Sequence, residues 1–225
     1  MSRLSRHALP TLAALLIVTL SAPAVIAQDN PAPGPTWSQE DTLRIVREVQ
    51  KKITGLTTYG VFDWITFGIQ GKTIILRGYA SRPVLKSDAE NAVKRIQGVE
   101  KVDNQIEVLP YSPMDDRVRA EVYNRIYTQP SLRKYNANQG TLGRAIGPGA
   151  GIALQAGGIT NTPPMGFHGI HIIVNRGKVI LYGVVLNDTD SAIAGMQANS
   201  ASGAFSVDND LIVQGSASKP KSAAK

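Results

Sequence analysis

Cysteine is absent from this sequence of 225 residues. Disulfides, thiolate metal ligands and acylated cysteines are therefore excluded within it, and its fold must be held by core packing alone. Histidine is nearly as scarce: of three, one lies in the first ten residues, which leaves His168 and His171. Spaced three apart on a strand they point to opposite faces, so they cannot chelate one ion without a bend in the chain. No serine, histidine and aspartate arrangement stands out, and no carboxylates are paired at a spacing suited to acid–base work. The run GIQGKT at 68–73 ends like a phosphate-binding loop, but Thr66 stands where the early glycine belongs, and IILRG after it makes a strand instead of the required helix. No catalytic residue, metal or cofactor is expected.

Long apolar runs are also missing, with one exception. Arg3 and Arg6 precede an apolar stretch from Ala8 to about Ala24, and Val25-Ile26-Ala27 follows. This is the pattern of a secretory signal peptide cut after about Ala27, too short to span a bilayer comfortably at ~20 residues. The expectation is an exported, periplasmic protein. Removing residues 1–27 takes two of 24 basic residues and none of 17 acidic ones, which leaves a formal charge of +5. Positive charge favours anionic partners, and export makes nucleic acid the least suited of them. The proline-rich QDNPAPGPTW at 28–37 reads as a disordered leader, and the small, basic tail 216–225 as disordered too.

Between leader and tail the chain repeats itself. At an offset of 105, Ile65, Phe67 and Ile69 fall on Ile170, Ile172 and Val174, while Ile74, Leu76 and Gly78 fall on Val179, Leu181 and Gly183. Gly98 falls on Gly203, and Val102-Asp103-Asn104 on Val207-Asp208-Asn209. Upstream the offset is 73, pairing Ile45, Val49 and Ile53 with Val118, Val122 and Ile126. The second copy thus carries about 32 extra residues between its first two elements.

Period identifies the elements of each copy. Residues 38–53 place Leu43, Ile45, Val46, Val49 and Ile53 near one helical stripe behind a Ser38 cap. Residues 61–70 and 73–80 alternate and form a hairpin around Gln70-Gly71-Lys72; 83–97 return to helical spacing, Gly98 stops that helix, and Val99–Leu109 is a strand. The predicted fold is α+β, with two tandem α-β-β-α-β units, each a three-stranded mixed sheet with two helices on one face. The units span 38–110 and 115–215, the second with a glycine-rich insertion at about 136–166. The sheet face turned from the helices carries Trp64, Ile75 and Tyr79 in one copy and Ile173, Ile180, Tyr182 and Ile212 in the other. That is too apolar for a solvated face, so these faces should meet each other or a protein partner.

The hairpins ending in Leu-x-Gly at 76–78 and 181–183, and the closing Gly-Val-x-x-Val-Asp-Asn-x-Ile of 98–106, resemble the BON domain, named for bacterial osmotically inducible and nodulation proteins. The second copy is closer, in GIHIIVNRGKVILYGVV at 169–185 and SVDNDLIV at 206–213. The resemblance covers about 38–215. It implies a periplasmic, non-enzymatic protein that binds phospholipid or envelope surfaces and serves envelope integrity or osmotic stress tolerance. The chain departs from the pattern in its insertion and in a second crossover helix, SAIAGMQANSASG, that is poor in large apolar anchors.

Candidate lipid-binding residues are Arg44, Arg47, Lys51 and Lys52 on the first helix, and Lys86, Lys94 and Arg95 on the second. Gly78, Gly98, Gly183 and Gly203 are candidate structural positions. So are Asn104 and Asn209, each expected to hydrogen-bond backbone near the start of its strand. The other reading is a periplasmic protein-binding or chaperone-like module using the apolar sheet faces.

Overall fold

The computed structural model describes residues 36–136, 158–161, 163, 164 and 166–215. The signal segment, most of the leader, most of the glycine-rich insertion and the basic tail lie outside the described residues.

In the first unit, α1 (Gln39–Thr54) starts where the Ser38 hydroxyl accepts the Asp41 amide, and it buries Ile45, Val49 and Ile53. The hairpin β1 (Trp64–Gln70) and β2 (Thr73–Ala80) is antiparallel. After α2 (Pro83–Lys94), β3 (Lys101–Val108) returns parallel to β2, giving the order β1-β2-β3. Ile74 and Leu76 meet Leu85, Ala89 and Val93 of α2 in a core closed by Ile45 and Val49. Trp37, read as the end of the leader, packs on this core and donates its indole N–H to the Gly98 carbonyl at 2.8 Å.

The second unit repeats the order. Helix α3 (Pro113–Thr128) is followed by a 3₁₀ turn (Arg133–Tyr135) and a short helix α4 (Gly158–Asn161) at the end of the insertion. The hairpin β4 (Ile170–Asn175) and β5 (Lys178–Val185) leads to α5 (Asp188–Asn199). The strand expected over 206–213 is in two pieces, β6 (Ser206–Asn209) and β7 (Ile212–Val213), both parallel to β5. Leu181 pairs with Asn209 and Val184 with Ile212, so the register is unchanged across the break. Across the break the Asp210 amide still donates to the Leu181 carbonyl at 2.9 Å, and the Asn209 side-chain oxygen accepts the Leu211 amide.

Aromatic rings join the two sheets on the faces turned from the helices. Tyr182 stacks on Trp64 with centroids 5.5 Å apart and planes 3° apart, and the Tyr79 ring lies 6.4 Å from that of Tyr182. The loop before β1 adds a second joint: Val61 and Phe62 are fully buried in the core of the second unit, and the Val61 carbonyl accepts the Ile172 amide at 2.8 Å. Asp63 shapes that loop, its carboxylate accepting the amides of Gly60 (2.9 Å) and Ser81 (2.6 Å).

Candidate functional site

Three arrangements bring polar or charged groups together. The first is the outer surface of α1 and α2, which lie on the face of the first sheet opposite Trp64 and Tyr79. With Ile45, Val49 and Ile53 turned to the core, helical period puts Arg44, Arg47 and Lys51 on the opposite stripe. Arg44 is engaged: it pairs with Asp41 at 3.1 Å and Glu48 at 3.2 Å. Lys94 pairs with Glu90, and the Arg95 guanidinium donates to the Asn91 carbonyl. Lys94 and the Asn104 amide hold the Glu90 carboxyl below the usual range. Arg47, Lys51 and Lys52 are exposed, and among the described residues they form no ion pair. Lys86 is half-buried, and its carbonyl accepts the Asn104 amide at 2.9 Å.

The second is a groove of about 810 Å³ between the units. Trp64, Ile65, Thr66 and Phe67 of β1 line it, with the end of α1 on one side, Phe167 and Val184 on the other, and Arg82 among its walls. The Arg82 guanidinium donates to the Thr58 carbonyl at 2.8 Å, while its Nε is buried without a hydrogen-bond partner.

The third is a buried polar cluster under that groove. His168 Nδ1 lies 2.9 Å from the Gly166 carbonyl, which only accepts, so Nδ1 carries the proton and Nε2 accepts the Tyr123 hydroxyl at 3.2 Å. Asn136 donates to that same hydroxyl. His171 contacts the Gly60 carbonyl through Nδ1, between the rings of Tyr59 and Trp64. Burial lowers both imidazoles to about 4, so both are neutral near neutral pH. Among the described residues no group of three or more His, Asp or Glu is placed to hold a metal ion.

The glycines and asparagines singled out in the sequence share one geometry in both copies. Gly78 (φ 116°) and Gly183 (φ 132°) sit where a Cβ would fall 2.0 Å from the Trp64 carbonyl oxygen and 2.1 Å from that of Gly169. Gly98 and Gly203 have φ of 94° and 88° at the turns after α2 and α5. Asn104 donates to the carbonyl of Lys86 and Asn209 to that of Ser191, both at 2.9 Å. Their partner is the crossover helix rather than the strand start; the oxygen of each accepts the amide two residues on.

The sequence profile of the BON domain matches residues 68–110 and 159–215, the two hairpin-helix-strand segments just described. The chain thus carries two BON-domain segments, consistent with two copies of one unit. Each match holds one copy of the glycine and asparagine geometry, so what marks a BON unit here is the docking of its crossover helix on its sheet. No curated protein matches. Two solved structures of CdsD, described as a structural protein of the type III secretion system of Chlamydia trachomatis, are similar. Its C-terminal domain is 15% identical, with a TM-score of 0.24, covering 79% of this chain and 99% of that one. The other is 14% identical, also with a TM-score of 0.24, covering 76% and 92%. Superpositions of that quality carry nothing about function.

The second BON unit also buries charged side chains of α3. Arg119, 1% exposed, pairs with Asp116 at 2.9 Å and donates to Thr160 and to the Val174 carbonyl. Asp115 accepts the amides of Arg176 and Gly177 and so ties α3 to the β4–β5 turn, where Arg176 has a φ of 53°. Thr160 belongs to the insertion and covers this end of α3, a contact that no spacing in the sequence signalled. Phe62 and Asp63 were missed in the same way, the only hint being an apolar pair just before β1.

Proposed function

We propose that this BON-domain chain is a non-catalytic protein that associates with anionic phospholipid, or another anionic surface of the cell envelope, through the α1–α2 face of its first unit. Envelope integrity or osmotic tolerance is the role this serves, and the amino-terminal signal pattern supports an exported, periplasmic location. The observation that carries the reading is the exposed set Arg47, Lys51 and Lys52 of α1, which forms no ion pair among the described residues. Each such cation near an anionic membrane contributes on the order of 1 kcal/mol. Arg44 and Lys94 already have carboxylate partners and contribute less. The reading that uses the apolar sheet faces for a protein partner has less to draw on, because Trp64, Tyr79 and Tyr182 are turned onto one another.

Liposome flotation tests the proposal. The chain should float with phosphatidylglycerol vesicles at low salt and not with zwitterionic ones, and flotation should fade as salt screens the charges. Reversing Arg47, Lys51 and Lys52 to glutamate should abolish it. A chain that ignores anionic vesicles at low salt refutes the proposal.

A further inference from the structure

The two edges of the first sheet are built differently. Strand β3, at one edge, carries Lys101, Asp103 and Glu107, the kind of charges that keep an edge from pairing with another chain. Strand β1, at the other, reads WITFGIQ, seven residues with no charge and no proline. The Tyr59 hydroxyl meets the backbone of Ile65. Beyond that, among the described residues, no backbone hydrogen bond joins 66–70 to anything except β2. In the second sheet the edge strand β4 is met by the backbone of Val61.

The free edge of β1 also forms a wall of the 810 Å³ groove. Four consecutive residues, Trp64 to Phe67, line it. Consecutive residues of a strand point to opposite faces, so a groove touching all four runs along the edge, where the backbone donors and acceptors are. Thr54 of α1 stands on one side, and Phe167 and Val184 of the second unit on the other, both of the latter exposed. Arg82 adds a cation with an unpartnered Nε.

We propose that this groove binds an extended peptide segment of another protein, which pairs with β1 as a fourth strand of the first sheet. The peptide carries apolar residues at alternate positions and a carboxylate that meets Arg82. Backbone pairing supplies affinity, and the flanking apolar walls select side chains. Arg47, Lys51 and Lys52 do not line the groove, and the proposal does not depend on the membrane reading.

Selection from a phage-displayed random heptapeptide library against the chain, followed by fluorescence anisotropy on an enriched peptide, tests it. Enriched peptides should alternate apolar residues and carry an acidic group. Methylating the backbone nitrogens of one parity should weaken binding about tenfold, and methylating the other parity should not. Thr66→Lys and Val184→Lys change exposed groove residues and should each weaken binding by a similar factor with the circular dichroism spectrum unchanged. Arg82→Gln should weaken only peptides that keep the acid. No enriched peptide, indifference to methylation or to Thr66→Lys, or displacement of the peptide by phosphatidylglycerol vesicles would overturn the proposal, the last assigning the groove to lipid. Vesicle flotation of Thr66→Lys should be no weaker than that of the parent chain, so the two proposals fail separately.

Discussion

The two BON units share a frame and differ in what fastens it. In the first, Asn104 holds the Lys86 carbonyl and also Glu90; in the second, the position matching Glu90 is Gly195, and Asn209 holds the carbonyl and hydroxyl of Ser191. A Cβ at Gly195 would lie 3.0 Å from the Asn209 amide, so the small residues of α5 are what let that helix come close. The apparent weakness of this helix, its lack of large anchors, is thus a packing device. The units also differ in self-sufficiency. The first core is made of its own residues, whereas the second takes Val61 and Phe62 from the loop before β1.

That asymmetry can be broken at Phe62. Phe62→Ala should cost roughly 3–5 kcal/mol. The loss should fall on the second unit, read as amide exchange accelerating in β4 and β5 more than in β2 and β3. Equal acceleration in both units would mean that they unfold as one body.

Acid is expected to act on the same joint. His168 and His171 both belong to the second unit, at positions matched by Asp63 and Thr66 in the first. Burial lowers both imidazoles to about 4, so between the ordinary histidine value of about 6.5 and 4 the unfolded chain takes up protons that the folded chain refuses. Stability is therefore full above 6.5 and lost as pH falls toward 4, by up to roughly 3 kcal/mol per histidine. Asp63, raised by burial, works in the opposite sense, its contribution being lost as pH rises through its raised value. The urea midpoint should fall with pH across this window, and the double variant His168→Gln, His171→Gln should flatten the dependence.

The smallest effect sharpens the equivalence of the copies. Asn104→Ala and Asn209→Ala each leave a helix carbonyl without its partner and should cost roughly 1–2 kcal/mol apiece in thermal or urea unfolding. Vesicle flotation should be unchanged in both. A large difference between the two would show that Glu90 or Ser191, rather than the shared carbonyl, carries the interaction.

The fold was legible because its determinants are local. Gly78 and Gly183 are glycines since a carbonyl occupies the space of a Cβ, and a requirement that strict leaves the same letter in both copies. Helical period likewise located α1 to α3, through Ile45, Val49 and Ile53 and their counterparts Val118, Val122 and Ile126. The candidate site was less legible. Seven basic residues look alike in a sequence, and only the tertiary structure shows Arg44 and Lys94 paired while, among the described residues, Arg47, Lys51 and Lys52 form no ion pair. Arg119 stands where the first copy has Val46, on the flank of the apolar stripe, and only the fold shows that α4 closes over it and Asp116. Period reports which way a side chain points and says nothing of what a distant segment lays over it.

By itself the sequence determined the number of units, their element order, the positions of the obligatory glycines and the exclusion of disulfides. Tertiary structure decided that the apolar sheet faces close on each other through Trp64, Tyr79 and Tyr182. It also decided that Phe62 completes a core other than its own, and that a groove opens along β1. The division has a physical origin. Backbone conformation and side-chain direction are set within a few residues, whereas burial and hydrogen-bond satisfaction depend on which remote surfaces meet.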